Sequence, residues 1–296
     1  MAGESKALMD FPYDRAAPLD LKDAAPPRFD GGVTVRDVTF ANSLGGRVEA
    51  YLVTPPAGAR APFPGIAWVH WLEGHDPNSN RKEFLEEAVE MAREGVVSLL
   101  PDCFWATDPK RWSMRDGFWW KSDARHDTEL SIRQVVELRR ALDALVAQPG
   151  VDEKRIGYVA HDFGAMYGCL VAAVDRRPAF YVMMAATTTF SEWFLFGSKL
   201  TPEQEKQYIA EMSPLDPIRY AAHAAPARLY FQFAHADYYV PERTAQMLYD
   251  AASAPKEIRW YDAGHDLNHD DARPDRLSWV RAQLGGPAGR PLGRPV

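Results

Sequence analysis

Cysteine is scarce in this chain of 296 residues: Cys103 and Cys169 are the only two, and no C-x-x-C pair occurs. That excludes a disulfide framework and the common cysteine zinc sites. Positive charge is in deficit as well, with 34 Lys and Arg against 41 Asp and Glu for a net charge of −7. No local basic cluster reverses the balance, so no nucleic-acid partner is expected. Long apolar runs are missing too. The longest weakly charged stretch, Pro178 to Ser191, falls short of the roughly 20 residues that cross a bilayer, and no membrane partner is expected. Met1 to Asp14 carries Glu4, Lys6, Asp10 and Asp14 instead of the apolar stretch of a secretory signal, which makes a cytoplasmic location the expectation. There is no internal repeat. What remains is ordinary globular material, 46% apolar or aromatic and 25% charged, so most of the chain is expected to fold.

The order of patterns predicts a layout. Residues 1–32, rich in Pro, Asp and Ala without a period, read as an arm. Val33–Phe40 and Val48–Val53 alternate as strands around a Gly45-Gly46 turn. From Gly65 onward the pattern is strand, helix, strand, helix. Strands are expected at Gly65–His70, Val96–Leu100, Arg155–Ala160, Ala179–Ala186, Arg228–Phe233 and Glu257–Tyr261. Helices are expected at Arg81–Glu94, after an Asp127 cap, and at Gly164–Val174, Glu242–Ala252 and Arg273–Leu284. This succession implies an α/β domain over 33–284, a mostly parallel sheet with helices on both faces. Residues 187–226 break the alternation and read as a lid insertion, and 285–296 as a flexible tail. Ligands of such sheets sit beyond the carboxyl ends of the strands, so chemistry is expected in the loops that follow them.

Three of those loops carry acid–base residues. After Arg155–Ala160 comes His161-Asp162-Phe163-Gly164, a strand-to-helix turn flanked by small residues, the setting of a nucleophile elbow with Asp162 exposed at its tip. After Arg228–Phe233 comes His235-Ala236-Asp237-Tyr238-Tyr239, and after Glu257–Tyr261 comes Asp262-Ala263-Gly264-His265-Asp266. The order nucleophile, acid, histidine is that of a triad on this kind of sheet.

On GIAWVHWLEG, GVVSLLPD, VDEKRIGYVAHDFGAMYG, HADYYVP and DAGHD, residues 33–284 resemble the α/β-hydrolase superfamily and its dienelactone-hydrolase-like branch. The resemblance puts Asp162 in the nucleophile place, Asp237 in the acid place and His265 in the base place. The Ser or Cys usual in that branch is absent. His161-Asp162-Phe163-Gly164 is instead similar to the elbow of haloalkane dehalogenases and epoxide hydrolases, whose nucleophile is Asp. This chain lacks their His-Gly-x-Pro, having His70-Trp71-Leu72-Glu73, and has room only for a small lid. Tyr208 and Tyr220 are the candidates for the tyrosines that activate an epoxide, without a motif to choose them.

The chemistry of the exchange matters. A carboxylate is already ionised at neutral pH and needs no base to attack. On an acyl carbon it would form a reactive anhydride; on a saturated carbon bearing a halide or epoxide oxygen it forms a stable alkyl ester, which His265 would then help water to hydrolyse while Asp237 orients the imidazole. Backbone N–H groups of Phe163 and of the Trp71 loop would form the oxyanion hole. His161, Trp105, Trp193 and Tyr238 are candidate substrate contacts, and an indole N–H could hold a leaving halide. Trp112, Trp119 and Trp120 lie in the same kind of loop, whereas Trp68, Trp260 and Trp279 read as core. His265 and His269 are four apart without an H-E-x-x-H motif, so no metal and no cofactor are expected. Arg111, Arg115 and Arg125 could meet a substrate carboxylate or simply face solvent. The expected partner is a small-molecule substrate, and a homo-oligomer is left open. Two alternatives stay beside the alkyl-ester reading: a lyase or an ester or lactone hydrolase with Asp162 as general base, and a catalytically degenerate hydrolase that only binds.

Overall fold

The computed structural model describes residues 8–73, 76–107, 123–196, 198–268 and 271–285. Ten strands form one sheet: β1 (Lys22–Asp23), β2 (Arg28–Asp30), β3 (Val33–Ala41), β4 (Arg47–Thr54), β5 (Phe63–Val69), β6 (Val97–Pro101), β7 (Val151–His161), β8 (Pro178–Met184), β9 (Arg228–Ala234) and β10 (Lys256–Tyr261). The order is β1-β3-β4-β6-β5-β7-β8-β9-β10, with β2 also on β3. β3 and β4 pair antiparallel, as their alternating burial and the Gly45-Gly46 turn suggest, and β4 meets β6 antiparallel. From β6 to β10 every pairing is parallel. Central strands covered on both faces need largely apolar runs, which Ile66–Val69, Ile156–Ala160 and, but for Ser98 on the Trp68 indole N–H, Val97–Leu100 supply, all buried.

The helices are α1 (Leu85–Arg93), α2 (Phe104–Thr107), α3 (Ala124–Val146), α4 (Phe163–Val174), α5 (Phe190–Phe194), α6 (Pro202–Met212), α7 (Pro217–Ala221), α8 (Glu242–Ala251) and α9 (Ala272–Gln283). Successive strand residues face opposite sides, and the packing follows. Trp279 of α9 lies on Phe180 and Tyr230, while Gly168 of α4 meets Tyr158 and Met183 on the other face. α9 is tied to α1 by the fully buried Arg276, which holds Glu87, and by Arg281 on Glu90 and Glu94. α3, α4, α7 and α8 form a row on the face of Tyr158.

Several expectations need correction. α3 is capped by Asp123, whose side chain accepts from the His126 N–H, and not by Asp127, which is buried one turn later and accepts from the Tyr208 hydroxyl at 2.9 Å. α7, inside the stretch expected to be a lid, packs on α4 and α8 as a flanking helix. The inserted part is therefore smaller, centred on α5 and α6. Trp260 lies on the edge strand β10, half-buried against His235, and is not core. The arm adds β1 and β2 to the sheet and buries Phe11 against Tyr220. The tail beyond Gly285 lies outside the described residues.

Candidate active site

β7 delivers Asp162 at its carboxyl end with φ 50° and ψ −117°, a backbone region that side-chain-bearing residues seldom occupy. The turn can be this sharp because Gly164 follows. A Cβ there would stand 2.4 Å from the Val69 carbonyl oxygen and 2.8 Å from that of His70. Asp162 is fully buried. Its Oδ2 accepts from the Leu72 N–H at 3.0 Å, and the Phe163 N–H also favours the charged carboxylate. Among the described residues Oδ1 has no hydrogen-bond partner.

The donor in the loop after β5 is thus Leu72 and not Trp71, whose N–H is taken by Glu83 Oε2 at 2.7 Å. The reason is the orientation of one peptide plane. The Trp71 carbonyl faces His70 Nδ1 at 2.8 Å, Trp105 Nε1 at 2.8 Å and Ser79 Oγ at 3.1 Å. His70 Nε2 accepts from the Cys103 N–H, which leaves the proton on Nδ1 to donate, and burial lowers the pKa of this ring. With the carbonyl held by these donors, the N–H of the same peptide, that of Leu72, points the opposite way, at Asp162.

His265, in the loop after β10, donates from Nδ1 to Asp237 Oδ2 at 2.9 Å, and Asp237 Oδ1 accepts from the N–H groups of Tyr239 and Val240. The ring lies between the two carboxylates. Its Nε2 stands 3.9 Å from Asp162 Oδ1, and neither atom has a hydrogen-bond partner among the described residues. Burial raises the Asp162 carboxyl to about 6 even though His265, His161 and the Leu72 N–H pull it down. Burial opposes charge on His265, but the Asp237 hydrogen bond and the Asp162, Asp237 and Glu73 charges outweigh it and raise its pKa. Burial works against Asp237 too, and there the His265 bond and the Val240 and Tyr239 N–H groups prevail and lower its pKa.

The wall beside the histidine is aromatic. Trp193 of α5 lies 5.7 Å from the His265 ring and stacks on Tyr239, which meets His265 edge-on at 5.1 Å. These two rings, with Glu192, Phe196 and Tyr238, line a slot of about 280 Å³. Tyr238, expected as a contact, is 79% exposed and reaches only the rim; its neighbour Tyr239 holds the inner position. Trp105 is buried and packs behind Phe163, its indole N–H spent on the Trp71 carbonyl at 2.8 Å, so it supports the loop and is not a free donor. His161 faces Glu83 and the His265 carbonyl, inside the protein. Trp71 stacks on His161 at 4.9 Å, with its Nε1 buried and without a hydrogen-bond partner.

Tyr208 and Tyr220 are not in the site. The first serves Asp127, and the second donates to the Pro214 carbonyl and accepts from the Met9 N–H. Arg125 is exposed and paired with Glu129. Arg111, Arg115, Trp112, Trp119, Trp120 and His269 lie outside the described residues. Among the described residues no group of three His, Cys, Asp or Glu side chains could hold a metal ion, and no helix is long and apolar enough to cross a membrane. Leu72, Glu83 and Tyr239 are the residues that sequence reasoning missed. A larger cavity of about 790 Å³ lies away from the triad, between the arm and the end of α4, and its Arg177 is already engaged by Asp143 and Asp175.

No family model matches the chain, and neither does any curated protein sequence. Solved structures do match. The acetyl xylan esterase from Paenibacillus sp. R4 superposes with a TM-score of 0.73 at 19% identity, over 90% of this chain and 89% of that one. A protein of Klebsiella pneumoniae subsp. pneumoniae assigned as a dienelactone hydrolase gives a TM-score of 0.58 at 18% identity, over 81% and 94%. A cold-adapted esterase from an Arctic intertidal metagenomic library gives a TM-score of 0.62 at 14% identity, over 89% and 99%. The fold is the α/β-hydrolase fold.

Proposed function

We propose that the protein is a hydrolase in which Asp162 attacks a saturated carbon of a small organic substrate, forming an alkyl ester that water then cleaves. The observation that carries this reading is the unequal treatment of the two Asp162 oxygens: Oδ2 is held by the Leu72 N–H, and Oδ1 is bare beside His265 Nε2. In the first step Oδ1 forms a bond to the substrate carbon while the carbon–halogen or epoxide carbon–oxygen bond breaks, and the leaving atom takes the electron pair. Trp71 Nε1, buried without an acceptor among the described residues, is a donor near the two histidines for that developing charge. In the second step His265 Nε2 takes a proton from water, which attacks Asp162 Cγ. The new negative charge falls on Oδ2, where the Leu72 N–H already points; such a donor is worth about 3–4 kcal/mol in a transition state. The bond from Cγ to Oδ1 breaks, the alcohol leaves with the original oxygen and takes the proton back from the imidazolium, and the second proton of water leaves the regenerated Asp162 carboxyl, to solvent after a halide or to the alkoxide after an epoxide.

The solved neighbours include esterases, which favours a second reading with Asp162 as general base for ester or lactone hydrolysis, and a carboxyl near 6 suits that role. Against it, an ester carbonyl would need the donor that Oδ2 occupies. The deciding experiment is intact-protein mass spectrometry of His265→Gln after exposure to alkyl halides and epoxides. The alkyl-ester reading predicts one adduct that persists and maps to Asp162. Turnover of an ester by the wild-type protein, with no adduct on the variant from any of these substrates, would promote the general-base reading.

A further inference from the structure

Behind the triad lies a buried pair that the reaction as described does not use. Glu83, just before α1, and His161, just before the nucleophile, are 3% and 0% exposed at their side chains, and Glu83 Oε1 lies 2.7 Å from His161 Nδ1. Glu83 accepts twice more. The Trp71 N–H donates to Oε2 at 2.7 Å, and Asn268 Nδ2 donates to Oε1 at 3.0 Å. The Asn268 amide is not free to turn over, because its Oδ1 accepts from Arg276 at 2.6 Å. A carboxylate surrounded by donors is favoured in its ionised, accepting form. At the other end of the ring, His161 Nε2 lies 3.0 Å from the His265 carbonyl, which can only accept. With Glu83 as an acceptor, both ring nitrogens face acceptors, and a proton on each satisfies them. The Trp71 indole stacks on this ring at 14° between planes, a face that suits a cation.

We propose that Glu83 and His161 are a buried ion pair that positions the reacting groups: the His161 imidazolium holds the His265 main chain against the elbow, and Glu83 joins the loops that bear Leu72, Asp162 and His265. His161 is a positioning residue and touches no substrate. The pair binds three segments that are distant in the chain, and it helps set the 3.9 Å gap between His265 Nε2 and Asp162 Oδ1. Its cation also favours the ionised form of Asp162, partly offsetting burial. The titratable groups around Asp162 are His161 and His265, with Asp237, Glu73 and Tyr239 behind His265 and Glu83 behind His161. The kinetic consequence rests on Asp162 being the reacting carboxylate, but the ion pair does not.

The test is nitrogen-15 NMR of histidine-labelled wild-type protein at neutral pH, with the His161 signals identified by their loss in His161→Gln. The expected result is a directly bonded proton on both ring nitrogens of His161. A single protonated nitrogen overturns the ion pair, whatever the reaction proves to be. Because the wild-type spectrum carries this answer, a variant that fails to fold leaves the test intact; Glu83→Gln, which should remove one of the two protons, then identifies the signal. In His161→Gln the acid limb of kcat should move up by about one pH unit, a tenfold loss of ionised Asp162 below it, with KM little changed. An unmoved limb would reduce the pair to scaffolding. Mapping an adduct to Asp162 separates the outcomes: an adduct with a singly protonated His161 rejects this proposal alone, and a doubly protonated His161 without an adduct rejects only the nucleophile.

Discussion

Two carboxylates on either side of one imidazole behave differently because their neighbours differ. Asp237 accepts from His265 and two backbone N–H groups, which hold its carboxyl below the usual carboxylate value, whereas burial lifts Asp162 to about 6. In the proposed mechanism attack needs ionised Asp162, so the rate should fall as the pH drops through about 6, read as an acid limb in single-turnover rates; a flat profile from pH 5 to 8 would contradict that assignment. Asp237→Asn tests the other side. Asp237 Oδ1 is claimed by two N–H groups, so an Asn amide would turn its NH₂ toward His265 Nδ1 and force the ring proton onto Nε2. The base is then lost, and steady-state turnover should drop by about 10³–10⁴-fold. The first-step burst of leaving group should remain, because attack by Asp162 needs no base. Asp162, Asp237 and His265 were legible in the sequence because each follows a strand of recognisable pattern. Leu72, Glu83 and Tyr239 were not. Leu72 acts through its backbone, Glu83 sits in a stretch that reads as an ordinary helix start, and Tyr239 differs from Tyr238 only by which of two adjacent rings turns inward.

At the level of elements, the junction of β7 and α4 sets the geometry, and it depends on one missing side chain. Gly164→Ala would drive a Cβ into the Val69 and His70 carbonyl oxygens, which are main-chain atoms at the end of β5 and cannot rotate away as a side chain could. The expected cost is about 1–3 kcal/mol by denaturant unfolding, together with a loss of activity larger than the stability change explains, since the elbow itself must shift. Stability equal to wild type would show that the contact is not tight. α5 brings Trp193 to the slot and is anchored by the Asp216 side chain, which accepts from the Phe190 N–H at 3.2 Å. Trp193→Ala should raise KM more than it lowers kcat, because the ring forms a wall and takes no part in proton transfer; the ratio of the two parameters across a substrate series reads this directly. The strands and flanking helices followed from periodicity. The extent of the insertion did not, because α7 is five residues long and too short to show a helical stripe.

Across the whole molecule, the arm is fastened to the helical face on the far side from the chemistry. Arg140 is fully buried, bonds Asp143 Oδ2 at 2.9 Å and donates to the carbonyls of Ala17 and Pro18. Arg140→Ala would leave Asp143 Oδ2 and those carbonyls short of a donor while Arg177 still holds Asp143 Oδ1, so the expected cost is about 1–3 kcal/mol, that of buried acceptors losing a hydrogen bond. The expected signature is a lower unfolding midpoint with unchanged kcat in the folded protein, and a changed kcat would mean that the arm reaches the site. Composition spoke for a globular chain and the order of patterns for an α/β one, without revealing how the arm is held, since Pro-rich sequence carries no periodic pattern. The central claim concerns where water's oxygen goes. A single turnover in heavy-oxygen water, followed by mass spectrometry of the Asp162 peptide, should find one heavy oxygen in Asp162 and none in the first product released. Label in the product with Asp162 unlabelled would contradict the account.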